Sequence, residues 1–435
     1  MLQSWLMDKK ISDLREKFSW AMYDFANSGY ATVVLTTVFN TWFVSGIVTG
    51  DAFDSGSATL LWTIAIAIGN FIILFSAPVL GAIADIYAVR KRLLIISSAG
   101  CIIFTALLAL PQPGDIWLAM GLLIASYVMF ASGENLIAAF LPELTTTDNI
   151  GRLSGYGWAL GFIGGLLTLL LCLLYINAAE AAGQSAADFI PHTMLIVSGC
   201  FLVSALPTLF WLKERNKAQQ KPAHQIIKNT FRELKTTLLN LKHYPDLKVF
   251  MISLTCFHAG IYIVIVLAAV YAQQVMGFDT KENIILIAVV NITAAIGAFG
   301  FGHLQDKLGS VRTLILTLLI WCLAILLAWS SKNLLIFWIA ANLIGIALGA
   351  SQSASRALMG LFSPSGHYGE YFGLWGLCVK LAAIIGPISY GILNKLTAGD
   401  HRTSLLITLL YFIAGLLLLL RVNELRGRQR AGHII

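Results

Sequence analysis

Charged residues are scarce in this 435-residue chain, because Asp, Glu, Lys and Arg together make up only 12% of it. About a quarter of the residues of a soluble domain are charged, so this composition excludes a soluble globular protein. The six cysteines all fall within apolar segments, with neither the spacing of a metal site nor that of a disulfide framework. The phosphate-binding pattern Gly-Lys-Ser/Thr is missing, which argues against nucleotide hydrolysis within this chain. We expect no cofactor and no bound metal.

Apolar segments fill the chain instead. Hydrophobic residues make up 58% of the sequence, and a hydrocarbon core about 30 Å thick needs roughly 20 helical residues per crossing. The sequence therefore predicts an all-α polytopic membrane protein with twelve transmembrane helices. These lie near residues 18–47, 58–84, 93–111, 116–141, 153–177, 192–212, 247–274, 283–304, 312–330, 333–361, 369–394 and 403–421. The charged stretch 1–17 lacks the apolar core and cleavage site of a signal peptide, so we expect it to be retained.

Basic residues predict the orientation of these segments. Twelve crossings place both termini on one side, and that side carries 24 of the 29 Lys and Arg residues, against four on the other. Since basic loops stay in the cytoplasm, we expect both termini to be cytoplasmic, in a bacterial inner membrane. The net charge of +7 then belongs to loops that face anionic membrane lipid, and we expect no nucleic-acid partner.

Two similar loops divide the chain in half. "GAIADIYAVRKR" begins at Gly81 and "GHLQDKLGSVRT" begins at Gly302, and each places an Asp four residues after its Gly. An internal repeat of about half the chain predicts two pseudo-symmetric six-helix halves. The expected units are a cytoplasmic segment 1–17, the halves 18–212 and 247–422, the linker 213–246 between them and a cytoplasmic tail 423–435.

The linker contains a pattern typical of an amphipathic basic helix. Among its lysines and arginines, apolar residues recur at steps of three or four positions, namely Ile227, Phe231, Leu234, Leu238 and Leu241. Such a helix either lies on the lipid surface or recruits a partner protein, and its basic face favours the lipid surface.

The two repeated loops also resemble the signature loop of the major facilitator superfamily, although Ala88 stands where that pattern usually has Gly. We expect Asp85 with Arg90, and Asp306 with Arg312, to act as gates. An Asp at a helix end can accept hydrogen bonds from the amides that begin the next helix and can pair with Arg. The alternative is a charge cluster that only anchors each loop, and in neither interpretation do these residues bind substrate.

Five ionisable side chains lie inside the predicted spans. Each adds roughly 2.5–3.5 kcal/mol to insertion at the centre of a membrane helix, so each needs a partner, water or a function. Lys380 and His258 fall near the midplane, whereas Asp24, Glu134 and Arg356 lie roughly 9 Å from the cytoplasmic end at 1.5 Å per residue. Asp24 or Glu134 paired with Arg356 would form a gate as readily as a binding site. Asp24, Glu134 and His258 are the candidates for carrying a proton.

The first span contains an unusual polar stretch, "SWAMYDFANSGYATVV", from Ser19 to Val34. Its small and polar residues 26–29 are expected to weaken the helix locally and to face a wet cavity, which is tolerated only away from lipid. Close helix packing through small residues is the alternative, and it fits span 5 better, where Gly157, Gly161 and Gly165 are spaced by four.

That same stretch resembles the start of the vacuole-effluxer-like branch of the major facilitator superfamily. "FLPEL" from Phe140, "GRLSGYGWALGFIGG" from Gly151, "QSASR" from Gln352 and "EYFGLWGLCVKLAAIIGP" from Glu370 also resemble that branch, in the same order. The resemblance implies the major facilitator fold, with spans 1, 4, 7 and 10 around a central cavity. The substrate-binding positions that the resemblance and the membrane charges suggest together are Tyr23, Asp24, Asn27, Ser28, Tyr262, Gln352, Arg356, Trp375 and Lys380.

The chain departs from the family pattern at two places. The acidic residue usual before a Gly early in span 7 is replaced, since "FHAGIY" places His258 and Ala259 before Gly260. The Asn usual just before "FLPEL" is Ala138. A coupling role for span 7 therefore depends on whether His258 can carry a proton.

The resemblance implies a secondary active transporter that works by alternating access and moves an amino acid or a similar zwitterion, driven by a proton. We expect a monomer whose partners are its small-molecule substrate, a coupling ion and membrane lipid. The alternatives are an efflux pump for lipophilic or metal-chelating compounds, a receptor that no longer transports, and a lipid-modifying membrane enzyme. The enzyme is disfavoured because Ser353 and Ser355 have no neighbouring His beyond His367 that could act as a base.

Overall fold

The computed structural model describes residues 14–48, 55–215, 241–278, 280–398 and 400–432. These residues form helices and contain no strand. Twelve helices are long: α1 Leu14–Ile47, α2 Ser55–Tyr87, α3 Arg90–Leu107, α4 Ile116–Ala138, α5 Ile150–Ala181, α6 Ala186–Trp211, α7 Pro245–Met276, α8 Thr280–Leu308, α9 Ser310–Ser330, α10 Leu334–Phe362, α11 Tyr368–Leu396 and α12 His401–Leu419.

The number and order of the predicted spans are confirmed. Eleven of the described helices are long and apolar enough to cross a membrane, and α3 is the twelfth, with three basic residues at its start. Most helices run a few residues beyond the predicted apolar cores because their ends include charged residues that lie at the interface. In contrast, α3 ends at Leu107, four residues before the expected end, just ahead of Pro111.

Helix α1 is irregular beyond its polar stretch. It is α-helical to Tyr30 and then π-helical over Ala31–Thr36 and again over Phe43–Ile47. Between them, Thr37 adopts φ −125° and ψ −88°. The predicted weakening of this helix therefore occurs a few residues after the small residues that suggested it. The π-helical turns change which side chains α1 presents to its neighbours.

The three spaced glycines of α5 pack directly against α1, as the packing alternative predicted. A Cβ added to Gly161 would lie 2.8 Å from the Ser28 Oγ, and one added to Gly165 would lie 2.6 Å from the Thr32 Oγ1. One added to Gly157 would collide with the Asp24 carboxylate. The small residues thus bring the α1 and α5 backbones close together within the first half.

Each half is held at the side of the termini by a buried carboxylate. Glu16 at the start of α1 pairs with Arg215 after α6, at 2.6 Å, and also accepts from the Lys213 amide at 3.0 Å. Asp246 at the start of α7 pairs with Arg426 after α12, at 2.6 Å, and accepts from the Asn423 amide at 2.8 Å. We call these two contacts the clasps. Because each joins the first and last helix of one half, they support the division into two six-helix units.

Similar amide contacts begin the third helix of each half. The Glu214 carboxylate accepts from the Lys91 amide at 2.8 Å, and the Glu424 carboxylate accepts from the Val311 amide at 2.9 Å. Residues 216–240 lie outside the described part of the chain, and the predicted amphipathic helix of the linker falls almost wholly there. The boundaries of the two halves therefore remain predictions.

Replacing Asp246 with alanine is expected to destabilise the second half without changing how the halves meet. The Asp246 side chain is 1% exposed and receives three hydrogen bonds, of which Arg426 donates two. Loss of hydrogen bonds to a charged group is expected to reduce the free energy of unfolding by about 1.5–3 kcal/mol. Thermal unfolding of the purified protein in detergent measures this change, with the exposed Asp148→Ala as the matched control. Equal Tm values for the two variants would contradict the role of the clasp.

Candidate functional site

The two halves meet closely at the side of the membrane where the termini lie. There α2 packs against α11, and α5 packs against α8. A Cβ added to Gly81 would collide with the Gly369 carbonyl group, and one added to Gly155 would lie 2.5 Å from the Ala298 carbonyl oxygen. No solute can pass between helices at such distances, so this side of the structure is closed.

One contact that closes it joins α2 to α11. Asp85 pairs with Arg90 at 2.6 Å and accepts from the Glu370 amide at 2.9 Å. Arg90 is fully buried and also pairs with Glu143 at 2.7 Å. The expected pairing of Asp85 with Arg90 is thus present. The amide that Asp85 accepts from, however, begins α11 of the other half and not the helix that follows α2. We call Asp85, Arg90 and Glu370 the α2–α11 latch.

The corresponding contact joins α8 to α5. Asp306 accepts from the Gly151 amide at 2.9 Å and pairs with Arg152 at 2.8 Å. Arg312, which the spacing placed beside Asp306, is exposed and forms no ion pair within the described ranges. Arg152 of the other half takes its place, so the predicted gate has a different arginine. We call Asp306, Gly151 and Arg152 the α5–α8 latch.

Arg356 of α10 forms a third contact between the halves, deeper in the membrane. Its guanidinium pairs with Asp24 at 2.7 Å and donates to the Ser154 carbonyl at 2.9 Å and to the Ser154 Oγ at 3.2 Å. Its Cζ lies 4.6 Å from the ring centre of Trp20 and 5.4 Å from that of Trp158. Arg356 therefore pairs with Asp24 and not with Glu134. Since protein groups accept from its donors and two indole rings lie beside it, this geometry favours the gate over the binding site for that pair.

Glu134 pairs instead with Lys380. The Lys380 Nζ lies 3.8 Å from the Glu134 Oε2 and donates to the Tyr127 hydroxyl at 3.4 Å. That hydroxyl donates in turn to the Asn70 Oδ1 at 2.7 Å. The Lys380 side chain is 6% exposed and the Glu134 side chain 32% exposed. We call Asn70, Tyr127, Glu134 and Lys380 the polar cluster. It joins α2 and α4 of one half to α11 of the other.

The ion pair of the polar cluster is loose, because 3.8 Å exceeds the 2.7–2.9 Å typical of a charge-assisted hydrogen bond between an ammonium group and a carboxylate. Arg356 and Asp24, by contrast, lie within that range. The carboxylate of Glu134 is also the more exposed of the two acids. A solute or a proton can therefore reach Glu134 without first separating a tight pair.

Other predicted substrate-binding residues divide into two groups. Tyr23 is fully buried and hydrogen-bonds Ser98 at 2.9 Å inside the first half, so its hydroxyl does not face a cavity. Asn27 and Trp375 are buried, and among the described residues nothing hydrogen-bonds the Asn27 amide group or the Trp375 indole N–H. Such groups are rare in protein interiors and are candidates for contacts with a solute.

His258 and Tyr262 lie together on α7, with ring centres 6.4 Å apart. His258 is buried beside Phe257, and its Nε2 has no hydrogen-bond partner in the described part of the chain. No carboxylate pairs with it among the same residues. His258 therefore lies beside aromatic rings, whereas Glu134 faces the ammonium group of Lys380.

A cavity of about 340 Å³, which we call the apolar cavity, lies farther from the termini. It lies between the π-helical part of α1 and the helices of the second half. The described residues that line it include no charged side chain, and its polar side chains are Thr32, Thr36, Thr37, Asn291, Gln352 and two tyrosines. Of the predicted substrate-binding residues, only Gln352 is among them. The three threonines were not among the predicted residues, and their only signal in the sequence is their position at the end of the polar stretch of α1 and just after it.

Comparison with known proteins gives consistent matches. The family described as vacuole effluxer Atg22 like matches residues 47–432. The chain is 27% identical to the uncharacterized MFS-type transporter YxiO of Bacillus subtilis (strain 168), over 94% of this chain and 95% of that protein. It is 22% identical to autophagy-related protein 22 of Yarrowia lipolytica, over 72% of this chain and 57% of that longer protein.

Solved structures agree on the fold. The human organic anion transporter MFSD10 superposes with a TM-score of 0.70 at 14% identity, covering 93% of this chain and 99% of that one. The proton:xylose symporter XylE superposes with a TM-score of 0.71 at 15% identity, covering 95% and 96%. Both similarities extend over nearly the whole length of each chain.

Proposed function

The chain belongs to the vacuole effluxer Atg22-like family of the major facilitator superfamily, and from this premise we propose that it moves a small zwitterionic solute by alternating access, coupled to a proton. The family identifies it as a multi-pass membrane transporter and not an enzyme. An amino acid or a similar solute is the substrate class, and Glu134 with Lys380 is its binding pair.

The loose Glu134–Lys380 pair carries this proposal. The two opposite charges lie 3.8 Å apart on helices of different halves. A zwitterion presents an ammonium and a carboxylate group at a comparable separation, so it can pair with both residues at once. Binding would replace the Glu134–Lys380 pair with two new pairs, one between Glu134 and the ammonium group of the solute and one between Lys380 and its carboxylate. Because the two residues belong to different halves, the binding free energy of the solute then depends on how the halves are arranged. The neighbouring Tyr127 supplies an aromatic wall, with its ring centre 5.3 Å from the Lys380 Nζ.

Alternating access is supported by where the structure is closed. The two latches and Arg356 all lie toward the termini, whereas the apolar cavity lies on the side of Arg356 that faces away from the termini. With the termini in the cytoplasm, as the basic residues indicate, this state has the cytoplasmic side closed. Separation of the latches would open that side while the clasps keep each half intact.

Glu134 is our candidate for the proton carrier. Its carboxylate is partly exposed and is opposed by Lys380, so a proton competes with the ammonium group of the solute for it, and protonation on one side of the membrane releases the solute there. Asp24 is less suited because Arg356 holds it at 2.7 Å. His258 has no charged partner among the described residues, and its Nε2 has no hydrogen-bond partner there through which a proton could pass.

We therefore expect Glu134→Gln to abolish proton-driven accumulation while preserving exchange of solute across the membrane. The variant cannot release a proton, whereas its amide can still hydrogen-bond the solute. Uptake of each of the radiolabelled amino acids into proteoliposomes, with and without an imposed pH gradient, measures accumulation, and counterflow measures exchange. His258→Gln is expected to accumulate solute like the wild type, and exposed Glu180→Gln is the matched control. If Glu134→Gln still accumulates solute under the gradient, the proton is carried elsewhere.

A second candidate is efflux of lipophilic compounds, and the uncharged lining of the 340 Å³ cavity favours it. Such a solute would bind among the apolar residues of α7 and α10 without needing Lys380. Transport of a lipophilic fluorescent cation, insensitive to Lys380→Ala, would support this candidate. No accumulation of any amino acid in the same vesicles would then exclude the first.

A further inference from the structure

We infer that the pocket in the first half that holds the Arg356 side chain is itself a binding site for an organic cation, of the guanidinium or substituted-ammonium class. Arg356 occupies it in the closed state, and the pocket becomes available when the halves separate at the side of the termini. This inference rests on the proposed alternating access. We call Trp20, Asp24, Ser154 and Trp158 the arginine box.

Among the described residues, the groups that hydrogen-bond, pair with or lie over the guanidinium all belong to the first half. Asp24 and Trp20 lie on α1, and Ser154 and Trp158 lie on α5. The carboxylate accepts from Nη1, the Ser154 carbonyl accepts from Nη2, and the Ser154 Oγ lies 3.2 Å from Nε. Arg356 itself lies on α10 of the second half. Rigid separation of the halves therefore withdraws the cation and leaves the whole box behind.

The two aromatic walls of the box are held by contacts that do not involve Arg356. The Trp20 indole N–H donates to the Ile137 carbonyl at 2.8 Å, which fixes that ring within the first half. Gly157 lies beneath the carboxylate, where any larger side chain would collide with Asp24. Trp158 packs against Phe162, with ring centres 5.7 Å apart. These contacts all stay within the first half when Arg356 leaves.

The chemistry of the box selects a particular class of cation. Two indole faces attract a cation with a spread charge and little hydration, such as guanidinium or a methylated ammonium group. The carboxylate and the Ser154 carbonyl add acceptors in the plane that a guanidinium uses. A small, strongly hydrated ion such as sodium gains little from indole rings. An uncharged solute gains nothing from the carboxylate.

This arrangement gives Arg356 a second role besides closing the gate. A cationic group that enters the vacated box competes with Arg356 for the same contacts, so it opposes return to the closed state. The bound cation is then exchanged for a tethered arginine as the halves close. Arg356 would in this way displace the cation from the box.

Chemical rescue of Arg356→Ala tests the inference on the purified full-length protein. The probes are methylguanidinium chloride and tetramethylammonium chloride at millimolar concentrations, compared with sodium chloride at equal ionic strength. We expect each organic cation to give a saturable rise of several degrees in the Tm of Arg356→Ala and to quench its tryptophan fluorescence, because ligands that bind only the folded state stabilise it. Arg356→Ala with Asp24→Asn is expected to lose the rise.

Arg152→Ala is the matched control, since Arg152 also joins the halves through a carboxylate but is 44% exposed. The described residues place no aromatic ring over its guanidinium, so we expect no rescue of that variant. Equal responses of Arg356→Ala to sodium and to the organic cations would overturn the inference. So would an equal rescue of Arg152→Ala.

If Arg356→Ala does not fold on its own, size-exclusion chromatography supplies the measurement. Extraction with methylguanidinium is then expected to restore a monodisperse peak that sodium chloride does not restore, and failure to do so contradicts the inference. These experiments measure binding and not transport. Absence of rescue would therefore reject the arginine box as a cation site. The transport proposal would not be affected, because it is tested separately by the accumulation measured with Glu134→Gln.

Discussion

Lys380→Ala is expected to abolish binding and transport of the zwitterionic solute while the protein remains folded. Lys380 is buried and is opposed by Glu134 across the two halves. Truncating one partner of a buried charge pair that holds a ligand typically weakens binding by about 2–5 kcal/mol, which corresponds to a loss of about thirtyfold or more. Folding is expected to persist because Glu134 is one-third exposed and water can solvate its carboxylate.

Binding to the purified variant is measured by thermal stabilisation against a panel of amino acids, and transport by uptake into proteoliposomes. Lys395→Ala is the matched control, because Lys395 lies on the same helix but is exposed near its far end. A variant that still binds the wild-type solute within a few-fold would show that Lys380 only neutralises Glu134. In that case the apolar cavity, and not the polar cluster, would be the binding site.

The overall fold could be predicted from the sequence because its signals are local. Each apolar run is long enough to cross a membrane by itself, and the repeated loops at Gly81 and Gly302 mark the two halves. The spacing of Gly157, Gly161 and Gly165 likewise indicated a packing face that the structure contains. These features depend on the residues within one segment.

Contacts between segments could be predicted only in part. The charges of Asp24, Arg356, Glu134 and Lys380 marked them as paired, but their partners depend on how the helices pack. Asp85 and Asp306 accept from backbone amides of the opposite half, and a backbone amide has no sequence signature. The sequence therefore suggested a partner on the adjacent helix for each.

The direction in which each side chain of a helix points was also hard to predict from the sequence. Tyr23 and Asp24 are adjacent in the sequence, yet successive side chains of an α-helix differ by about 100° in direction. Tyr23 therefore points toward Ser98 in its own half, while Asp24 meets Arg356 of the other. Glu16, near the end of the predicted cytoplasmic segment 1–17, is buried in a clasp that its position in the sequence did not indicate. The acidic and basic residues shortly after α6 and α12 are the signal that could have identified both clasps.

Replacing both latch carboxylates, as Asp85→Asn with Asp306→Asn, is expected to shift the transporter toward the state open at the side of the termini. Each substitution removes a charge that binds the amides of the other half, at 2.9 Å in both latches. Hydrogen bonds to charged groups contribute about 1.5–3 kcal/mol each, so the pair is expected to change the ratio of the two states by about 10²–10⁴.

A cysteine at Ser353 measures this shift, because Ser353 is buried between the halves near Ser154. We expect a maleimide reagent to label Ser353→Cys much faster when both latches are altered, after subtraction of labelling at the native cysteines. Asp246→Ala is the decisive control, since its clasp lies within one half: it is expected to lower the Tm without accelerating the labelling. If Ser353→Cys is labelled at the same rate in the double latch variant and in Asp246→Ala, then loss of stability and not opening explains the exposure of residue 353. In that case the latches do not hold the two halves together.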